Sequence, residues 1–305
     1  MTKRAPSNLP ASVHQLLLNK ARQTHRPFNE LLQYYAMERF LYRLSKSPYA
    51  ARFILKGALM FTAWKLDSCR PTMDIDLLSK TANQVESVMT IARAVCTQPV
   101  APDGLVFNPA TVKGARITEN ANYEGVRIRF QSNLGAARVT LQLDIGFGDV
   151  IVPAPQPIEY PTLLDFEAPR LRGYSKESMV AEKFESLVTL GVLNSRMKDY
   201  FDIWALSRQF DFDGQTLGNA IAKTFSNRRT QIIRDPIGLT TKFADDSTKK
   251  SQWRGFIQKS RLGASPELGE VIVAIANFVG PLVTALSAGK SFRRKWMPPG
   301  PWVDE

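Results

Sequence analysis

Asp74 and Asp76 stand one residue apart in a segment where Ile75 and Leu77 alternate with them. A period of two means a strand, so both carboxylates project from one face while Ile75 and Leu77 face the other. Two such groups can share a divalent cation, and a third from a neighbouring strand completes a site for two Mg²⁺ held roughly 4 Å apart. The stretch VTLQLDI supplies that third group. Val139, Leu141 and Leu143 share one face, and Asp144 ends the other beside Thr140 and Gln142. Gly146 and Gly148 follow and free the backbone to turn. Upstream, Lys56-Gly57-Ala58 brings backbone N–H groups at a glycine, which can hold the phosphates of a nucleotide.

An isolated Asp-x-Asp also occurs in glycosyltransferases, EF-hand loops and solvated strand faces. A Lys-Gly before the pair and a strand-borne aspartate after it, in this order, point to phosphoryl or nucleotidyl transfer. There, carboxylate-held Mg²⁺ neutralises charge at the attacking and leaving oxygens. No side-chain nucleophile is required. The two histidines, His14 and His25, lie outside the acidic block, and neither is placed for a serine or cysteine triad. Zinc lacks a ligand set.

Further along, Met179, Lys183 and Leu187 follow one another at four-residue steps on an otherwise apolar helix face. The Lys183 stem is thereby buried and its ammonium aimed at a triphosphate or a carboxylate, or else it snorkels at the edge of the stripe. Asp199 and Asp202 share a helix face three residues apart, as ligands or as partners of the helix dipole.

The elements that must position these groups are readable from the same patterning. Residues 11–45 carry apolar positions at three- and four-residue steps and read as helices. LMFTAW after Gly57 starts another, ended by Pro71. GVRIRF alternates Val126, Ile128 and Phe130 against Arg127 and Arg129 and forms a strand beside that of Asp144. The result is an α+β chain with a small mixed sheet in residues 1–158. Pro153, Pro155, Pro157 and Pro161 then exclude a regular ladder and mark the boundary to a helical domain of residues 159–305. In that domain Ser175 is the N-cap of a helix with the stripe Met179, Val180, Phe184, Leu187 and Val188. Val271 to Leu286, interrupted by Asn277, Gly280 and Pro281, reads as a core helix or helix pair and not a membrane span. SFRRKWMPPGPWVDE, basic and then proline-rich, has the pattern of a flexible tail.

The chain of 305 residues has a net charge of +12 and 44% hydrophobic residues, which excludes a mainly disordered or coiled-coil protein. Cys69 and Cys96 cannot build a disulfide framework, and MTKRAPSNLP lacks the apolar core of a signal peptide, so a reducing cytoplasm is expected. Residues 1–50 hold eight basic and two acidic residues, and residues 223–305 hold fourteen and seven, around a middle with a charge of −1. Basic flanks fit a polyanion such as RNA. Arg228, Arg229, Lys249, Lys250 and Arg293 to Lys295 would hold its backbone, with Trp253 or Trp296 stacking on unpaired bases.

Taken in order, LKGALMF, RPTMDIDLL, LQLDIGFGD, AEKFESLV and SRMKDYFDIWAL resemble the AbiEii-type (MenT-like) nucleotidyltransferase toxins of bacterial toxin–antitoxin systems. The resemblance runs from about residue 10 to 290 and rests on all five motifs together. It implies a polymerase-β-like nucleotidyltransferase domain followed by a helical domain. Asp74 and Asp76 become the metal-binding pair, Asp144 the third carboxylate, and Thr72 the hydroxyl before the pair. Gly57, with Lys56 and Ala58, lies under the triphosphate, and Lys183 and Asp199 match the later catalytic lysine and aspartate. Asp202 is an alternative to Asp199 or a nucleotide contact. The wider superfamily has Gly-Ser or Gly-Gly where this chain has Gly57-Ala58, so a serine hydroxyl contact to phosphate is missing. The resemblance further implies Mg²⁺, a nucleoside triphosphate, the 3′ acceptor end of tRNA as substrate and a separately encoded AbiEi-like antitoxin. Rival readings are transfer to a protein or small-molecule hydroxyl and a non-catalytic nucleic-acid-binding regulator, though no recognition helix stands out.

Overall fold

The computed structural model describes residues 8–66, 70–120, 123–262 and 266–304; Cys69 and the opening MTKRAPS lie outside the described residues. The chain forms two compact units. One comprises Met1–Lys65, Thr72–Gly148 and Gln156–Gly173, the other Leu66–Pro71, Asp149–Pro155 and Tyr174–Glu305.

The first unit runs α1 (Leu9–Thr24), α2 (Phe28–Lys46), β1 (Phe53–Lys56), α3 (Leu59–Ala63), β2 (Ile75–Ser79), α4 (Val85–Cys96), β3 (Leu105–Asn120), β4 (Tyr123–Leu134), β5 (Ala137–Phe147), β6 (Gln156–Glu159) and β7 (Arg170–Gly173). The expected small sheet is a seven-stranded one in the order β3-β4-β5-β2-β1-β7-β6. β2 lies parallel to β5 and β1 parallel to β7, while the other pairs are antiparallel. β6 corrects the expectation that the proline stretch excludes a ladder. It is the edge strand, where the missing N–H of Pro157 costs no interior pairing.

One face of the sheet is apolar because the strands alternate. Ile75 and Leu77 of β2, Val126, Ile128 and Phe130 of β4, and Leu141, Leu143 and Ile145 of β5 are all buried. Phe40 of α2 packs on Phe107 and Phe130. α2 is buried along the whole of Leu31 to Leu44 and is therefore an interior helix, wider in its burial than a single stripe. Its polar groups are paired as burial requires. Arg43 forks onto Asp103 at 2.6 and 3.0 Å, and Tyr35 Oη donates to the Asp103 carbonyl at 2.7 Å. Glu38 lies against Arg39 at 2.9 Å and accepts from the Leu163 N–H at 2.6 Å, although burial still pushes its carboxyl up to about 7. These contacts tie the 160s segment to the helix.

The second unit contains α5 (Lys176–Leu190), α6 (Met197–Gln209), β8 (Phe212–Asp213), α7 (Gly214–Asn227), α8 (Thr241–Asp245), α9 (Ser247–Ser260), α10 (Leu268–Ser287), β9 (Arg294–Trp296) and β10 (Trp302–Asp304). Ser175 caps α5 as expected, its side chain accepting from the Ser178 N–H at 3.1 Å. α10 is one helix, not a pair, and continues through Pro281. By length and composition it could cross a bilayer. In the fold, however, Leu268, Val271, Ile272, Ile275, Phe278, Val279, Leu282 and Val283 form a buried face, consistent with a core helix.

The basic, proline-rich end is not a free tail. β8, β9 and β10 form a three-stranded sheet, and Trp296 and Trp302 are buried against Phe278 of α10. Their indole N–H groups donate to the carbonyls of Ser207 and Phe278, at 2.6 and 2.8 Å. Aromatic burial outweighs the local signal of proline and charge. Trp302→Ala should accordingly cost about 3–5 kcal/mol of stability by lost packing and the orphaned carbonyl, read as a lower urea midpoint.

Candidate active site

The sheet register brings the three strand-borne acids together. In the parallel β2–β5 ladder Asp76 is directly opposite Asp144, and Asp74 immediately precedes β2. One carboxylate oxygen from each of Asp74, Asp76 and Asp144 lies within 4.8 Å of the others. α2 fixes the approach to this cluster. Gln33 Nε2 donates to the carbonyls of Met73 and Thr140, at 3.1 and 3.3 Å, and Tyr34 Oη accepts from the Thr72 N–H at 3.0 Å. Thr72 Oγ1 donates to Asp74 Oδ1, which holds the first carboxylate in place.

Asp144 is gripped from β4. Arg127, its cross-strand neighbour, donates from Nε to Oδ1 and from Nη2 to Oδ2, each at 2.7 Å, and Gln142 Nε2 adds a bond to Oδ2 at 3.2 Å. On the far side, Lys56 of β1 is opposite Asp76. One row across four strands therefore reads Lys56, Asp76, Asp144, Arg127. Arg127, Gln142, Gln33 and Tyr34 were not expected as site residues. The pattern of GVRIRF places Arg127 on a polar strand face, but only the register shows that it meets Asp144.

Gly57 follows β1 with φ +69°, and a Cβ there would come 1.9 Å from Asp76 Oδ2 and 2.6 Å from its Cβ. The missing side chain leaves the Asp76 carboxylate its place beside the turn. Ala58, next in the chain, is buried. The donor set fits a hard divalent cation: all its ligating atoms are carboxylate oxygens, with neither imidazole nor thiolate among them.

Lys183, Asp199 and Asp202 form a second cluster, within the other unit. Lys183 Nζ bridges Asp199 Oδ1 at 3.0 Å and Asp202 Oδ2 at 2.6 Å. Arg70 forks onto Asp202 at 2.8 and 2.9 Å, and Arg196 Nε lies 2.8 Å from Asp199 Oδ2. Thus the ammonium meets carboxylates, and the two acids have distinct partners: Asp202 joins Arg70 to Lys183, and Asp199 joins Arg196 to Lys183. Burial raises the carboxyl pKa values, but the surrounding cations outweigh it and hold both acids below their ordinary value. Burial likewise opposes the charge on Lys183, and the two aspartates overcome it and raise its pKa.

Several expected RNA-gripping groups are committed elsewhere. Arg228 is enclosed by Asp149 at 3.0 Å, Glu185 at 2.8 Å and Glu182 at 3.7 Å. Lys249 is buried and donates to the Asn194 carbonyl at 2.8 Å. Trp253 and Trp296 are each only 2% exposed and have no face for a base. Arg229, Lys250, Arg293, Arg294 and Lys295 remain on the surface.

The model of the family described as "Nucleotidyl transferase AbiEii toxin, Type IV TA system" matches residues 39–277, more than three-quarters of the chain. The chain belongs to this family. It is thus a nucleotidyltransferase of a toxin–antitoxin system, and membership implies a nucleoside triphosphate substrate and a separate antitoxin. No curated protein matches the sequence. Among solved structures, JHP933 from Helicobacter pylori is 15% identical with a TM-score of 0.48, covering 85% of this chain and 95% of that one. A second, described as a putative nucleotidyltransferase from H. pylori, is 13% identical with a TM-score of 0.41 and the same coverage.

Two outcomes follow. Gly57→Ala places a methyl inside the Asp76 carboxylate and strains a left-handed turn. It should cut transferase activity by at least about 10²-fold, through lost orientation, while the thermal midpoint moves by only a few degrees. Asp199 and Asp202 have depressed folded pKa values, so their stabilisation is complete above the unfolded value near 4 and is lost as pH falls through the lower folded values. Urea midpoints between pH 7 and pH 2.5 should drop more steeply for the wild type than for Asp202→Asn.

Proposed function

We propose that the protein is a Mg²⁺-dependent nucleotidyltransferase that adds a nucleotide from a nucleoside triphosphate to the 3′ end of RNA, above all the acceptor end of tRNA, and so blocks translation. The observation that carries the chemistry is the convergence of Asp74, Asp76 and Asp144 within 4.8 Å beside Gly57. The all-oxygen donor set supports Mg²⁺ over zinc. The tRNA acceptor rests on the family resemblance and on the surplus of basic residues.

In this reading Asp74, Asp76 and Asp144 would hold the metal, which would supply charge neutralisation at the reacting oxygens. The 3′-hydroxyl attacks the α-phosphorus of the triphosphate in line: its oxygen forms the new P–O bond, the bond to the β-phosphate bridge breaks, pyrophosphate leaves, and the hydroxyl proton passes out by way of the carboxylates. Thr72 keeps Asp74 oriented, and Arg127 and Gln142 do so for Asp144. The backbone at Lys56, Gly57 and Ala58 receives the triphosphate. We also assign Lys183 and Asp199 to the reaction as the family's later lysine and aspartate, with Asp202 holding Lys183. The reaction belongs in the cytoplasm, where tRNA and nucleotides are found, and an AbiEi-like antitoxin opposes it.

The test is incubation with Mg²⁺ and each labelled nucleoside triphosphate in turn, with total tRNA, mixed protein or no acceptor. Label should enter tRNA, vanish with chelator, and fall by at least about 10²-fold in Asp74→Ala. Label in protein alone would replace the RNA acceptor, and no transfer from any nucleotide would end the reading. Expression of the wild type should arrest growth, whereas equal amounts of Lys183→Ala should not.

A further inference from the structure

The sheet face that bears the acids continues past them, and its chemistry changes sign. Arg127, Arg129, Gln131 and Asn133 of β4 point to the same side as Asp144, because the alternate residues Val126, Ile128 and Phe130 are buried on the other. On β3, Gly114 packs against Val85 and Met89 of α4, which turns Lys113 and Ala115 to the side of the acids. Lys113 is directly opposite Arg129, and both are exposed. Like charges directly opposite on antiparallel strands are destabilising, so the fold gains nothing from this pair.

Arg129 Nε donates to Gln142 Oε1 at 2.9 Å, a neutral partner. Gln142 in turn donates to Asp144 Oδ2 at 3.2 Å, which links the strip to the third carboxylate. Among the described residues neither Lys113 nor Arg129 has an acidic partner. By strand order this face carries Lys113 on β3, Arg129 on β4 two residues beyond the Arg127 that is opposite Asp144, Asp144 on β5, Asp76 on β2, and then Lys56 with Gly57 following β1. Arg129 is diagonal to Asp144, one strand over and two residues along, roughly 8 Å away, and Lys113 is one strand farther, about 12 Å away. The glycine turn and the basic strip therefore flank the acids on opposite sides.

We propose that Lys113 and Arg129 form the seat of the acceptor, gripping backbone phosphates of single-stranded RNA just before its 3′ end, while the triphosphate occupies the Gly57 side. This rests on the reading of the protein as an RNA nucleotidyltransferase. The uncovered strip is open along the strand toward Gln131, Thr140 and Arg138, all polar, so an extended polyanion has somewhere to run. A compact triphosphate needs no such extension, and the charge pattern is that of backbone contact without base reading.

The test compares wild type, the double variant K113Q/R129Q, and a control of equal charge loss, R52Q/K80Q, at the opposite ends of β1 and β2. Binding of a fluorescent twelve-nucleotide single-stranded RNA with a free 3′-hydroxyl is followed by anisotropy at 50, 100 and 200 mM KCl. The double variant should raise Kd at least about tenfold at 100 mM and lower the slope of log K against log salt by about 1.4, the value for two lost phosphate contacts at about 0.7 each. The control should match wild type, and calorimetric binding of nucleoside triphosphate and of Mn²⁺ should change less than twofold in all three. Equal RNA affinity and slope in K113Q/R129Q, with label still transferred to RNA, would overturn the seat and leave the RNA reading standing. Weakened triphosphate binding in that variant would assign the strip to the nucleotide and overturn the seat as well. Wild type that binds no RNA and labels only protein would overturn both.

Discussion

Mutual repulsion among three carboxylates is the constraint on which the first unit depends. Two unit charges 4.8 Å apart repel by about 3.5 kcal/mol at an effective dielectric near 20, and Asp74, Asp76 and Asp144 make three pairs within that distance. The fold answers each one locally. Thr72 donates to Asp74, Arg127 and Gln142 hold Asp144, and the turn at Gly57 leaves Asp76 its space. α2 extends the answer to the backbone through Gln33 and Tyr34, so a helix that is otherwise pure core also sets the position of the residues just before Asp74.

The cluster around Lys183 solves the opposite problem. Asp199 and Asp202 are essentially excluded from solvent, and burying a charge is tolerable only with close partners. Here cations outnumber acids: Lys183, Arg70 and Arg196 surround two carboxylates. The first cluster is partly exposed, while the acids of the second are buried.

Much of the fold follows from periodicity. Alternation in 74–77 and 139–144 gives the strand faces, and with them the meeting of the three acids, because period two decides which side chains share a face. The N-cap at Ser175 and the stripe on α5 are equally local. Other features depend on distant partners. β1 is only four residues long, with Phe53, Ile54 and Leu55 all buried, so it shows no alternation. β3 is broken by a register shift between Asn108 and Lys113. The C-terminal strands look like a tail because proline and charge are local signals, whereas the partner of Trp302, Phe278, is supplied by α10. For the same reason Trp253 and Trp296 pass for exposed stacking platforms when they are core.

The pairing of Asp76 with Asp144 also has a genetic consequence. Parallel neighbours cannot be joined by a hairpin, and the path from β2 to β5 passes through α4, β3 and β4. Insertions or deletions in the turns along that path leave the pairing of β2 with β5 intact. A single codon gained or lost between Val139 and Asp144 would instead turn the carboxylate onto the buried face and bring an apolar neighbour out in its place. Length variation among relatives should therefore gather in the connections and be absent from these two strands, however far the rest of the sequence has drifted.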